Sequence, residues 1–205
     1  MKHIAYRGEH GKNDGQTTFH SRSKTISFGS INAANRYATN PNIKGDEATN
    51  PRIYKVELDI KNPVISNEAD PFIEASDLAN TIGEDRCLQI LKESIIQLRC
   101  TDNWIEFCES RIGKDGSDEK LLEELSISNP GILIESLYID AYHVFDNDKY
   151  VSWFQEKGFD GAIHLGNGAT AMEKEYKIFN ENQAVILKEI TLDKNPLFYF
   201  LMQDI

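Results

Sequence analysis

Positive charge, cysteine and long apolar runs are all scarce in this chain. Its 22 lysines and arginines face 33 aspartates and glutamates, a formal net charge of -11. Binding to a phosphate backbone depends on Lys and Arg neutralising phosphates, so this balance argues against nucleic acid and for a protein or small-molecule partner. No apolar run approaches the roughly 20 residues needed to cross a bilayer. The N-terminal stretch Met1 to Gly8 turns polar before a signal-peptide core forms, so no cleaved leader and no membrane partner are expected. Three cysteines, Cys87, Cys100 and Cys108, are odd in number and have no histidine at ligand-like spacing. Buried free thiols in a reducing compartment are the expectation.

At 205 residues the chain can bury a core without disulfides or metals, and it reads as one domain over residues 1–205. Residues 3–7 are apolar enough for a strand that Gly8 and the Gly11 to Gly15 stretch end in a loop, placing Arg7 at a strand mouth. A hydroxyl-rich strand, Thr25 to Phe28, leads to Ser30, a plausible N-cap for a short helix in which Ile31, Ala34, Tyr37 and Ala38 repeat at helical spacing. Ile53 to Ile60 alternates apolar and charged residues, the pattern of a half-buried strand stopped by Asn62-Pro63. From Asp70 to about Arg111 the period becomes helical, with Leu88, Leu91, Ile95 and Leu98 on one face. Ile132 to Phe145 reads equally as strand or helix, and His143 within it reads as a core histidine. Asp146 or Asn147 caps a further helix that Gly158 stops.

Strands are then expected at Ala162 to Leu165, Glu175 to Phe179, Ala184 to Leu187 with Ile190, and Leu197 to Met202, with a loop of small residues at Gly166 to Ala171. Short strands in both halves with helices between them indicate an α+β domain. Glu173 and Glu175 stand two apart at a strand entry, and so on the same side of an extended chain.

Three separated stretches, taken in order, resemble the ADP-ribosyltransferase superfamily in its Arg-Ser-Glu branch and the bacterial and phage relatives of that branch. Tyr6-Arg7-Gly8 resembles the first-strand arginine motif, Ser27 before the Ala34 to Ala38 helix resembles the serine-bearing strand, and Glu173-Lys174-Glu175 leading to Phe179 and Gln183 resembles the last motif. The usual Ser-Thr-Ser is replaced by Thr25-Ile26-Ser27, so Ser23, Thr25, Ser27 and Ser30 all stay open for the serine role.

The resemblance implies a split antiparallel β-sandwich carrying a mainly helical insertion at about 70–145, and an enzyme that uses NAD as substrate with no metal. It implies that Arg7 binds the pyrophosphate or nearby ribose, that Gly8 pairs with the nicotinamide amide, and that Ser27 holds Glu175. Glu175 would accept a hydrogen bond from the ribose 2'-hydroxyl while Glu173 faces the acceptor. Phe28, Tyr37 or Tyr176 are the aromatics for stacking on nicotinamide. The implied activity is mono-ADP-ribosylation of a target protein, with arginine the acceptor suggested by the paired glutamates. The resemblance implies a bacterial toxin or effector or a phage protein, and with no cleaved leader visible the expected setting is the cytoplasm or delivery into a host cell. An NAD glycohydrolase and an inactive binding domain of the same fold are the alternatives.

Overall fold

The computed structural model describes residues 2–11, 19, 23–39, 50–65, 71–111, 117–166 and 172–192. Alternating apolar residues lay down the first sheet. β1 (Lys2–Glu9) pairs antiparallel with β3 (Arg52–Asp59), which pairs antiparallel with β9 (Ala184–Thr191). A second sheet has the order β2 (Ile26–Phe28), β8 (Lys174–Ile178), β7 (Gly161–Leu165), β4 (Pro63–Ile65). Its β4–β7 pair is parallel, a departure from a wholly antiparallel sandwich, while β2–β8 and β7–β8 are antiparallel. The sheets meet at one antiparallel bridge in which Tyr6 and Gly29 exchange both backbone hydrogen bonds at 2.9 Å.

The first strand continues through Gly8 to Glu9 rather than ending at Gly8, because both stay in register with Ile53 and Arg52 of β3, and helix α1 (Ile31–Thr39) packs on this end. A Cβ on Gly8 would come within 1.8 Å of the Ala34 carbonyl oxygen, so only glycine lets the helix backbone approach this closely. Ser30 caps α1 as expected, its Oγ accepting from the Ala33 N–H at 3.0 Å.

Between β4 and β7 the chain forms helices α2 (Ala75–Ile82), α3 (Glu84–Glu93), α4 (Ile95–Leu98), α5 (Asp102–Glu109), α6 (Asp118–Ser128), α7 (Pro130–Ser136), α8 (Ala141–Phe145) and α9 (Asp148–Glu156). An antiparallel ribbon of β5 (Phe72–Glu74) and β6 (Tyr138–Asp140) ties the ends of this region together. The ambiguous stretch from Ile132 to Phe145 is thus helix, strand and helix in turn. Asn147 rather than Asp146 caps α9 by accepting from Lys149 N–H, and Gly158 follows that helix at φ +87°.

Apolar residues on one face of the second sheet, Ile26, Phe28 and Ile178, pack against Ala5, Val56 and Leu58 of the first. On the other face Val64 and Ala162, with Phe179, join Leu78, Leu91, Trp104, Phe145 and Phe154 of the helices in a second core. Of the cysteines only Cys87 is buried, its thiol pushed up to about 12 by desolvation; Cys100 is exposed and Cys108 half-buried, which corrects the expectation of three buried thiols. The expected strand at Leu197 to Met202 and most of the expected loops at Gly11 to Gly15 and Gly166 to Ala171 lie outside the described residues.

Candidate active site

Strand pairing decides which side chains meet. Ser27 on β2 lies opposite Lys177 on β8, and Glu175, two residues earlier on β8, lies opposite His164 on β7. Cross-strand partners and residues two apart share a face, so these four side chains project together beneath the helical region. Lys177 is fully buried; its Nζ donates to Ser27 Oγ at 2.9 Å and to Asp146 Oδ1, and lies 3.8 Å from Glu175 Oε1. Glu175 is only 3 % exposed, and its Oε2 accepts from the hydroxyl of Tyr142 on α8. The Lys177 ammonium also sits 4.6 Å from the Tyr142 ring centroid.

His164 completes the floor. Its Nδ1 lies 2.7 Å from the Leu165 carbonyl, which only accepts, so Nδ1 carries the proton and Nε2 is left without a partner among the described residues. Burial pushes its pKa below the ordinary 6.5, and the nearby Glu175 only partly opposes that. Tyr142 stands edge-on to the ring at 5.1 Å.

Glu173 has a different environment. It lies just before β8, 28 % exposed, with Oε2 accepting from Ser30 Oγ and Oε1 accepting from Arg36 Nη2 at 2.6 Å. The Ser30 hydroxyl therefore serves both the helix cap and this carboxylate.

Arg7 reaches the same edge from β1. Its Nη1 donates to the Ser27 carbonyl and its Nε to Glu9 Oε1, both at 2.9 Å. Glu9 is buried and also accepts from Arg52 Nη2 at 3.1 Å, and Arg52 donates to the Tyr54 hydroxyl at 2.9 Å. One carboxylate thus lies between two guanidinium groups.

Phe28 is buried in the core between the sheets, edge-on to Phe19 at 5.1 Å, and so is not available to stack on a ligand. Tyr37 is 55 % exposed with its ring 5.7 Å from His10, and Tyr176 lies 4.8 Å from the His3 ring. The Cα of Gly8 faces the α1 backbone. Of the alternative hydroxyls, Ser23 and Thr25 bond each other at 2.9 Å and Thr25 donates to the Phe145 carbonyl, Ser30 reaches Glu173, and Ser27 reaches Lys177. The expected Ser27–Glu175 contact is therefore mediated: Lys177 stands between the two.

Sequence reasoning missed Lys177, Tyr142, Asp146, His164, Arg36 and Glu9. A lysine alternating with a glutamate along a strand was the one available signal. A recess of about 380 Å³ lined by Ser23, His143, Asp146, Asn147 and Asp148 opens beside Asp146, the carboxylate that holds Lys177. His143 on its wall is held below the usual imidazole range by burial. Among the described residues no cluster of three or more His, Cys, Asp or Glu is arranged to hold a metal ion. No family model, no curated protein and no solved structure matches the chain.

Proposed function

We propose that the chain is a mono-ADP-ribosyltransferase of the Arg-Ser-Glu type, built on that family's split sandwich, which cleaves NAD and transfers ADP-ribose to a protein side chain. One observation carries the reading: Arg7, Ser27 and Glu175, far apart in sequence, converge where the two sheets meet. Arg7 bonds the Ser27 carbonyl, and Lys177 bridges the Ser27 hydroxyl to Glu175.

The chemistry asks for negative charge beside the ribose. As the bond from C1' to the nicotinamide nitrogen breaks, its electron pair leaves with nicotinamide and positive charge develops on the sugar, which a fixed carboxylate stabilises. Glu175 already accepts from one hydroxyl, that of Tyr142, so its oxygen has the geometry to take a ribose hydroxyl once Tyr142 turns aside. Arg7, held by Glu9 and by the Ser27 carbonyl, would bind a pyrophosphate by exchanging these partners for its oxygens, to which a charged fork is suited. Glu173, more exposed and already holding the Arg36 guanidinium, has the charge and position to bind an arginine acceptor and take its proton.

Incubation with labelled NAD and a cell lysate should label target proteins, and Glu175→Gln should abolish the label; equal labelling by that variant would overturn the assignment. Nicotinamide release that is unaffected by acceptor protein would make water the acceptor instead.

A further inference from the structure

Resting on that reading, we propose that Lys177 is a positioning residue, through which Ser27 acts on Glu175. An ammonium has three donors on one compact charge. Two are committed to Ser27 Oγ at 2.9 Å and to Asp146 Oδ1, and the group lies at ion-pair distance, 3.8 Å, from Glu175 Oε1. Ser27 and Glu175 make no direct bond here because Ser27 pairs in register with Lys177, two residues along β8 from Glu175.

A structural salt bridge alone would not need this burial. Asp146 is 48 % exposed, so it could be met by a lysine at the surface, whereas Lys177 has no exposed side-chain area. Desolvating a charge is costly unless its surroundings hold it with fixed partners. Those partners are Ser27 and Asp146, which take its hydrogen bonds, and Glu175 at ion-pair distance, and two of the three are residues the proposed reaction uses. Asp146, reaching in from the α8–α9 junction, fixes the ammonium from the side opposite the sheet, and the 4.6 Å contact with the Tyr142 ring closes it in. Lys177 thus sets where the Glu175 carboxylate points, while Ser27 sets where Lys177 points.

Kinetics of nicotinamide release test this. Lys177→Met should lower kcat about tenfold or more, the usual loss when a group that orients a catalytic side chain is removed, with KM for NAD within about twofold. Ser27→Ala should lose less, and adding it to Lys177→Met should cost nothing further, because residues acting as one unit are not additive. A Lys177→Met kcat within about twofold of the parent, or losses that multiply, would overturn the proposal. The 15N signal of the Lys177 ammonium, slow to exchange because the group is buried, supplies a readout that needs neither activity nor a Lys177 substitution. It should shift in both Ser27→Ala and Glu175→Gln; indifference to either overturns the clamp. If the parent chain releases no nicotinamide, the NAD reading falls, and the clamp stands or falls on that signal. The same signal decides if Lys177→Met fails to fold.

Discussion

Glu9 shows how much a single buried carboxylate organises. It pairs with both Arg7 and Arg52, and all three are largely withdrawn from water. Removing one partner of a buried ion pair leaves an uncompensated charge and costs about 3–5 kcal/mol. Glu9→Ala should therefore lower the urea midpoint by an amount corresponding to that loss, with an unchanged slope; a change under about 1 kcal/mol would mean that water reaches the site. Arg7, Ser27, Glu173 and Glu175 were chosen as candidates because three short motifs in order resemble one family, with Ser23, Thr25 and Ser30 left open beside Ser27. Lys177 and Tyr142 were not. Lys177 meets Ser27 only through the register of β2 on β8, 150 residues apart in sequence, and Tyr142 lies 33 residues from the carboxylate it touches. No local pattern encodes either meeting.

At the scale of elements, α8 lies over the face of the second sheet that carries Glu175, Lys177 and His164, with Tyr142 on Glu175 and Phe145 against the His164 ring. In the proposed reaction the Tyr142 hydroxyl occupies the acceptor that a ribose hydroxyl needs, so the two compete. Tyr142→Phe should lower KM for NAD about tenfold, the scale of one hydrogen bond to a charged group; a raised KM would show that Tyr142 helps to bind NAD. Packing of α1 on β1 is equally specific. Gly8→Ala must push the Ala34 carbonyl away, and overpacking of this kind costs about 1–3 kcal/mol, measurable by thermal unfolding. Strand β3 and helix α1 were readable because alternation and a serine cap are local signals. The helical region was readable in kind but not in its breaks: the run from Ile132 to Phe145 is divided by the pairing of Tyr138–Asp140 with Phe72–Glu74, a tertiary constraint on a sequence that suits either state.

For the whole molecule, two cores share the second sheet, and its inner histidine titrates with the fold. His164 and His143 both have folded pKa values below the ordinary 6.5. As pH falls, the unfolded chain takes up their protons first, so stability is full above about 6.5 and declines below it, by up to about 1.4 kcal/mol per histidine for each pH unit. Asp118, held to about 2 by Arg99, loses its contribution only below its ordinary 3.8. The urea midpoint should fall between about pH 6.5 and pH 5, and less steeply in His164→Asn; an equal slope would remove His164 from the account. The first sheet carries another consequence. Among the described residues β9 is one of its two outer strands, and Val185, Ile186 and Leu187 in a row are exposed on it. Such an edge is a template for another chain. At neutral pH the charge of -11 keeps copies apart by mutual repulsion, and near the isoelectric point of about 4.9 that colloidal barrier disappears, so exposed apolar side chains such as these can then meet another copy.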